Sequence, residues 1–267
     1  MMRLERRFVD VAGHKVAYRN AGEGPALVLL HGFLLDSRMW RTQLEGLSDA
    51  YTVVAWDAPG AGASSDPSEP FTYANWADVL AGFLDAIGVE RAPLVGLSWG
   101  GTLALEVYRR HAKRVSALVL SDTYAGWTGS FDAEVARRRL ERCLSESELP
   151  PDEFVSRWVP DEFFADASEE LSHEMAAIVR DFNPHGFRLM ARSLADTDAT
   201  DLLPTISVPT LLVWGEDDAR SPLRVAESFR DAISGSRLVV LPGAGHVSNM
   251  EQPAGFNAQL RRFMSVL

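Results

Sequence analysis

The pentapeptide Gly96-Leu97-Ser98-Trp99-Gly100 is the most informative stretch of this chain because of its neighbours. An apolar run, Pro93–Leu97, ends in it, and a helical pattern over Thr102–His111 follows it. A serine on a tight strand-to-helix turn adopts a strained backbone conformation, and the turn closes only where flanking positions are glycine or similarly small. Such a turn raises the hydroxyl above the carboxyl edge of a sheet, beside a helix N-terminus. Ser98 is therefore predicted to be a nucleophile.

Short apolar runs like the one before Ser98 recur along the chain. Continuous runs of this length are typical of parallel strands that are buried on both faces. Ahead of them, Leu4 to about Ala21 alternates apolar and polar residues around Gly13-His14, which predicts an antiparallel hairpin. Helical patterns separate most of the runs, so we predict an α/β fold, with a mostly parallel sheet, helices on both faces and an antiparallel edge. The further runs are Ala26–Leu30, Thr52–Trp56, Ala117–Leu120, Thr210–Trp214 and Arg237–Leu241.

Caps and apolar stripes place several helices. Thr72 is a predicted N-cap, and Ser221 followed by Pro222 predicts another. The stripe after Thr72 consists of Trp76, Val79, Leu80, Phe83 and Ile87, and the stripe of the last helix consists of Phe256, Leu260, Phe263, Met264 and Leu267.

The alternation of strands and helices stops in the middle of the chain. From Phe131 to Asp201 the pattern is helical and acidic, with no convincing strand. A loop of that length without structure of its own is uncommon, so a helical insertion is predicted. We expect a core domain made of residues 1–126 and 202–267, and a helical cap over residues 127–201.

Composition excludes several classes of protein. The 267 residues include 26 Lys and Arg against 37 Asp and Glu, for a net charge of −11. Nucleic acids and anionic lipid surfaces should therefore be repelled, and runs such as Arg137-Arg138-Arg139 are expected on a solvated helix face. Cys143 is the single cysteine, and the sequence shows neither a signal peptide nor an apolar run of membrane-spanning length. We therefore expect a cytoplasmic protein with no membrane partner.

A serine nucleophile requires a base and an acid on the same edge of the sheet. His246 follows the last strand in a glycine-rich loop, and Asp218 follows the strand Thr210–Trp214. Asp217 competes with Asp218 on sequence alone, and Asp122 could supply the acid from another loop. No H-E-x-x-H pattern occurs, so a catalytic metal is not expected. No cofactor is expected either. The remaining histidines, expected to be structural or solvated, are His14, His31, His111, His173 and His185.

Acyl transfer also needs two N–H donors for the developing oxyanion. The backbone N–H of Trp99 is one candidate. The loop after the first parallel strand contains His31-Gly32-Phe33, which makes the backbone N–H of Phe33 the second. His31 is interpreted as a residue that stabilises this turn.

These segments together resemble the α/β-hydrolase fold family over nearly the whole chain. The resemblance implies an eight-stranded sheet with a helical cap inserted after the sixth strand. Members with dehalogenase or epoxide hydrolase activity have aspartate in place of Ser98, so those activities are disfavoured. The chain is most similar to small carboxylesterases, enol-lactonases and cofactor-free haloperoxidases. The matching segments are His31-Gly32-Phe33, Asp57–Ser64, Gly96–Gly100, Gly215–Asp218, and Gly245-His246 with Glu251 and Pro253.

The sequence thus predicts a serine hydrolase that cleaves carboxylic esters of small, mainly apolar substrates, as a monomer or a homo-oligomer. A lactonase, a carbon–carbon bond hydrolase and a ligand receptor with slow turnover are alternatives. Activity should rise with pH near the reference pKa of histidine, about 6.5. A local arginine, Arg188 or Arg192, could favour an anionic substrate. Predicted substrate-binding residues are Phe33, Trp99, Trp127, Trp158, Phe187, Met190 and Val247, with Phe163, Phe164 and Phe182 as further candidate pocket walls.

Overall fold

A single eight-stranded sheet organises the computed structural model, which describes residues 4–162 and 167–267. The strand order is β1-β2-β4-β3-β5-β6-β7-β8. β2 pairs antiparallel with both β1 and β4, and every other pair is parallel. The predicted mostly parallel sheet with an antiparallel edge is confirmed. The strands are β1 (Arg6–Val11), β2 (His14–Ala21), β3 (Ala26–Leu30), β4 (Thr52–Trp56), β5 (Ala92–Leu97), β6 (Val115–Ser121), β7 (Thr210–Gly215) and β8 (Arg237–Leu241).

Helices cover both faces of this sheet, which is why its central strands are continuously apolar. Leu27 to Leu30 of β3 and Leu118 to Leu120 of β6 are fully buried. The helices are α1 (Arg41–Leu47), α2 (Tyr73–Ala86), α3 (Trp99–His111), α4 (Trp127–Ser130), α5 (Ala133–Glu146), α6 (Pro151–Glu162), α7 (Glu169–Arg180), α8 (Pro184–Asp196), α9 (Leu223–Ala232), α10 (Ser248–Glu251) and α11 (Pro253–Met264).

Two details of the predicted helices are wrong. Helix α9 begins at Leu223 with Pro222 at its N-cap, because the Ser221 hydroxyl donates a hydrogen bond to Thr123 O at 2.7 Å instead of capping the helix. Helix α11 ends at Met264, so Leu267 lies beyond the predicted apolar face and is 54% exposed. The stripe after Thr72 is correct, since its residues from Trp76 to Phe83 are buried.

Helices α4 to α8 lie between β6 and β7, where the cap is predicted. Within the described part of residues 122–209, the regular elements are all helical. Helix α7 is tied to the start of α1 by a two-pronged ion pair, in which the Arg41 guanidinium donates to both Glu174 carboxylate oxygens at 2.8 Å. Among the described residues, no helix is long and apolar enough to cross a bilayer.

Candidate active site

Ser98 occupies the turn between β5 and α3 in a strained backbone conformation. Its φ is 54° and its ψ is −118°, a left-handed region that costs a non-glycine residue about 1–3 kcal/mol. A Cβ at Gly96 would lie 2.3 Å from Gly100 O, and one at Gly100 would lie 2.3 Å from Leu30 O. The turn therefore closes only with glycine at both positions, as the sequence predicts.

The loops after β5, β7 and β8 bring Ser98, Asp218 and His246 together at the carboxyl edge of the sheet. The Ser98 Oγ lies 2.9 Å from His246 Nε2, and His246 Nδ1 lies 2.8 Å from Asp218 Oδ2. All three residues are buried, with 3–4% of their surface exposed. Because the Asp218 carboxylate accepts the Nδ1 proton, Nε2 is the nitrogen that remains able to accept the serine proton.

Backbone groups hold the Asp218 carboxylate in this orientation. Its Oδ1 accepts hydrogen bonds from the N–H groups of Arg220 at 2.8 Å and Ser221 at 2.9 Å. Both carboxylate oxygens are thus engaged, one by the backbone and one by the histidine. The carboxylate cannot rotate without losing one of these contacts.

Burial lowers the pKa of His246 below its ordinary value of 6.5. The charge of Asp218 and its hydrogen bond oppose this effect, whereas the positive charges of Arg220 and Arg139 lower the pKa further. The imidazole is therefore neutral at pH 7 and able to accept a proton. The rise in activity predicted near pH 6.5 from the reference pKa is correspondingly expected at a lower pH.

The two competing acids do not contact His246. Asp122 accepts hydrogen bonds from the Gly215 N–H at 2.7 Å and from the Ser121 and Ser248 hydroxyls at 2.8 and 2.5 Å. Burial, together with the nearby charge of Asp218, raises the pKa of Asp122 well above its ordinary value. Asp217 is exposed to solvent.

The other histidines have contacts away from Ser98. His31 Nδ1 donates to Gly32 O at 2.8 Å, and its Nε2 accepts from the Ala58 N–H at 3.0 Å, so it joins two loops as interpreted. His111 pairs with Asp78, and His185 contacts Pro67 O. His14 packs edge-on against Phe71, and His173 lies on α7.

Two buried backbone donors next to Ser98 have no acceptor among the described residues. They are the N–H groups of Phe33 and Trp99, whose residues are 3% and 0% exposed. Trp99 is the first residue of α3, where N–H groups lack partners within the helix. A Cβ at Gly32 would lie 3.1 Å from Leu97 Cδ2, which shows how closely the Phe33 loop approaches the serine turn.

An aromatic cluster of Trp127, Trp158 and Phe187 packs around the Phe33 ring. The Phe33 ring stacks on Phe187 with centroids 4.5 Å apart, and it meets Trp127 and Trp158 edge-on at 6.3 and 6.2 Å. Four of the predicted substrate-binding residues are thus adjacent. Whether they contact a substrate stays a prediction.

The remaining predicted substrate-binding residues lie in different surroundings. Met190 lines a small cavity of about 10 Å³ together with Phe187. The Trp99 side chain stacks on Tyr73 and donates to Ser193 Oγ at 3.2 Å, so it packs between α2 and α8. Val247 is fully buried, and Phe182 stacks on Phe154. Phe163 and Phe164 lie outside the described residues.

The two arginines near His246, Arg139 and Arg220, were not predicted from the sequence to belong to the site. Arg137 and Arg138 are exposed as expected, but Arg139 turns inward, with its guanidinium 4.1 Å from the Phe131 ring centroid. Helical periodicity is the sequence signal that could have identified Arg139. Three successive residues of a helix point in different directions, so Arg137, Arg138 and Arg139 cannot all share one solvated face. The arginines proposed instead lie elsewhere: Arg192 pairs with Glu69 at the surface, and Arg188 contacts Ser147.

No group of three or more metal-ligating side chains is assembled within the part of the chain that the structure describes.

Comparison with known proteins supports the same class of fold. Residues 25–253 match the model of the alpha/beta hydrolase fold family. The chain belongs to this family.

Several members are similar over most of the chain. The 3-oxoadipate enol-lactonase 2 of Acinetobacter baylyi is 29% identical over 95% of both proteins. A thermophilic esterase from Thermogutta terrifontis, known as a solved structure, is 30% identical with a TM-score of 0.87, and the match covers 98% of each chain. A dihydrolipoyllysine-residue acetyltransferase component of an acetoin cleaving system from Cupriavidus necator is 31% identical over 97% of this chain and 68% of its own length.

Proposed function

We propose that the protein hydrolyses carboxylic esters, including lactones, through an acyl-enzyme formed on Ser98. The hydrogen-bonded series from Ser98 Oγ to His246 at 2.9 Å and from His246 to Asp218 at 2.8 Å carries this proposal. The unengaged N–H groups of Phe33 and Trp99 support it, because an oxyanion needs such donors. The similar esterase and enol-lactonase favour ester and lactone substrates over other acyl compounds.

In the acylation step, His246 Nε2 removes the hydroxyl proton while Ser98 Oγ bonds to the carbonyl carbon. The carbonyl electron pair moves onto oxygen, where the N–H groups of Phe33 and Trp99 stabilise it. When the carbonyl forms again, the bond to the alcohol oxygen breaks, and that oxygen takes the proton from His246. Asp218 keeps the imidazole ring oriented and stabilises its positive charge.

Deacylation repeats these steps with water. His246 removes a proton from water as its oxygen bonds to the acyl carbon, and the bond to Ser98 Oγ then breaks. Ser98 recovers its proton from His246, and the carboxylic acid leaves. A lactone follows the same course, with its alcohol and acid groups remaining in one product molecule.

Hydrolysis of 4-nitrophenyl esters from acetate to laurate tests this proposal. Ser98→Ala should lower kcat by about 10⁴-fold or more, because the nucleophile is lost while the rest of the site remains. Ser265→Ala, at an exposed serine after α11, is the matched control and should keep full activity. Equal turnover by the native chain and Ser98→Ala would refute the proposal. A native chain without esterase activity would favour carbon–carbon bond hydrolysis or ligand binding.

A further inference from the structure

A cavity of about 260 Å³ lies beside the Ser98 site, and three arginines are among its lining residues. Its lining includes Arg139, Arg142 and Arg220 together with the indoles of Trp127 and Trp158. Arg220 follows the proposed catalytic acid by two residues, so the cavity wall and the acid loop are continuous.

The cavity is one aromatic ring away from the proposed base. The ring centroid of Tyr124 is 6.1 Å from that of His246, and the Arg139 guanidinium carbon is 5.7 Å from the Tyr124 centroid. Trp127 and Trp158, which line the cavity, also touch Phe33, which supplies one of the proposed oxyanion donors. The cavity therefore adjoins the proposed catalytic residues, close enough for a group of the substrate to be recognised there.

Arg139 has no carboxylate partner among the described residues. Its guanidinium donates to Arg220 O at 2.9 Å and to the Tyr124 hydroxyl at 3.5 Å, and it lies over the Phe131 ring. By contrast Arg137, on the same helix, pairs with Glu134 and Glu141. A guanidinium has five N–H donors, so a half-buried one that meets no carboxylate in the described part of the chain can bind a carboxylate of a ligand.

Two buried indole donors in the same wall also lack an acceptor. The Nε1–H groups of Trp127 and Trp158 form no hydrogen bond within the described chain, and each residue is only 1% exposed. A buried donor without an acceptor costs free energy that a bound acceptor would restore. Guanidinium and indole N–H groups around one cavity are complementary to an anion with several acceptor oxygens.

We propose that this cavity binds a carboxylate of the substrate, with Arg139 as its anchor. The preferred substrates are then esters or lactones that carry a second, free carboxylate, rather than the mainly apolar esters that the sequence predicts. This inference rests on the proposed hydrolysis at Ser98 and specifies the substrate class of that site.

Two pairs of substrates test the inference, one for each side of the scissile bond. On the acyl side, mono-4-nitrophenyl adipate is compared with 4-nitrophenyl hexanoate. On the alcohol side, 4-acetoxybenzoate is compared with the neutral 4-acetoxybenzamide. For at least one pair, the native chain should favour the anionic member in kcat/KM by about tenfold or more, the usual strength of a charge-assisted hydrogen bond. Arg139→Met, which keeps the packing over Phe131, should abolish that preference.

Arg137→Met is the matched control, because Arg137 lies on the same helix and faces solvent. It should leave the preference unchanged. The inference is overturned if the native chain shows no preference for either anionic substrate, or if Arg139→Met retains it. If Arg139→Met does not fold, two other comparisons replace it. The preference of the native chain for the anionic substrate should weaken with added salt, and the preference should be smaller in Arg139→Lys than in the native chain. A preference that stays constant in both comparisons overturns the inference.

A binding measurement separates failure of this inference from failure of the proposed function. Adipate is titrated into Ser98→Ala and into Ser98→Ala/Arg139→Met, with tryptophan fluorescence as the readout. Saturable binding that is lost in the double variant supports the cavity even if no ester is hydrolysed. If adipate binds both proteins equally, or binds neither, the proposed carboxylate site is overturned. Ester hydrolysis by Ser98 is then still judged separately, by the turnover measurement.

Discussion

Replacing Asp218 by asparagine tests the arrangement of the site most directly. In the native structure, Oδ1 accepts two backbone N–H groups and Oδ2 accepts the Nδ1 proton of His246. An asparagine must turn its carbonyl oxygen toward the N–H groups of Arg220 and Ser221, because its own NH₂ group cannot accept from them. Its NH₂ group then faces Nδ1, which must accept a hydrogen bond instead of donating one.

The consequence is a change of tautomer at His246. With Nδ1 as the acceptor, the ring proton moves to Nε2, which then points a donor at Ser98 Oγ 2.9 Å away. Such a histidine cannot remove the serine proton, and stabilisation of its positive charge is lost as well. The expected fall in kcat is about 10⁴-fold, or about 5.4 kcal/mol of transition-state stabilisation.

The assay is steady-state hydrolysis of 4-nitrophenyl acetate at pH 7, with circular dichroism and thermal unfolding to verify the fold. Asp217→Asn is the matched control, since it makes the same replacement of one carboxylate oxygen by an NH₂ group at the adjacent, exposed residue. It should keep native activity. A folded Asp218→Asn variant that retains more than about a tenth of the native kcat would refute the tautomer argument, because a wrong tautomer costs far more.

Three other predictions follow from the same geometry. The pH profile of kcat/KM should rise with a midpoint below 6.5. The reason is that burial and the positive charges of Arg220 and Arg139 lower the pKa of His246 by more than Asp218 raises it. A midpoint above 6.5 would contradict this prediction. Arg139→Met removes one of those positive charges, so the midpoint should move to higher pH, and an unchanged or lower midpoint would count against proximity of the two groups. Gly100→Ala places a Cβ 2.3 Å from Leu30 O, so urea unfolding should show a loss of about 1–3 kcal/mol, and native-like stability would argue against the closeness of this turn.

The sequence alone determined the structural features that depend on residues close together along the chain. The strand, turn and helix around Ser98 are specified within the short stretch from Pro93 to His111, since the glycines permit the turn and the apolar runs define what flanks it. The Thr72 stripe and the buried strands β3 to β7 are likewise local, because hydrophobic periodicity reports burial directly. The run Arg237–Leu241 was wrongly predicted to be buried on both faces, since β8 lies at the edge of the sheet and is largely half-buried. Asp218 and His246 could be proposed because each follows a predicted strand, and parallel strands end at one edge of the sheet.

Tertiary structure alone decided between Asp218 and Asp122. Both come after adjacent parallel strands, β7 and β6, whose ends lie at one edge of the sheet, so this argument from strand ends does not distinguish them. Asp122 turns toward Gly215 and Ser248, whereas Asp218 turns toward His246.

The inward turn of Arg139 was also settled by tertiary contacts. Its position relative to Tyr124 and His246 joins α5 to loops that are distant along the chain. Local propensity cannot determine such contacts, because each depends on how separate elements pack around one cavity. The type of chemistry could thus be inferred from short segments, whereas the carboxylate preference that we propose depends on side chains that meet only in the folded molecule.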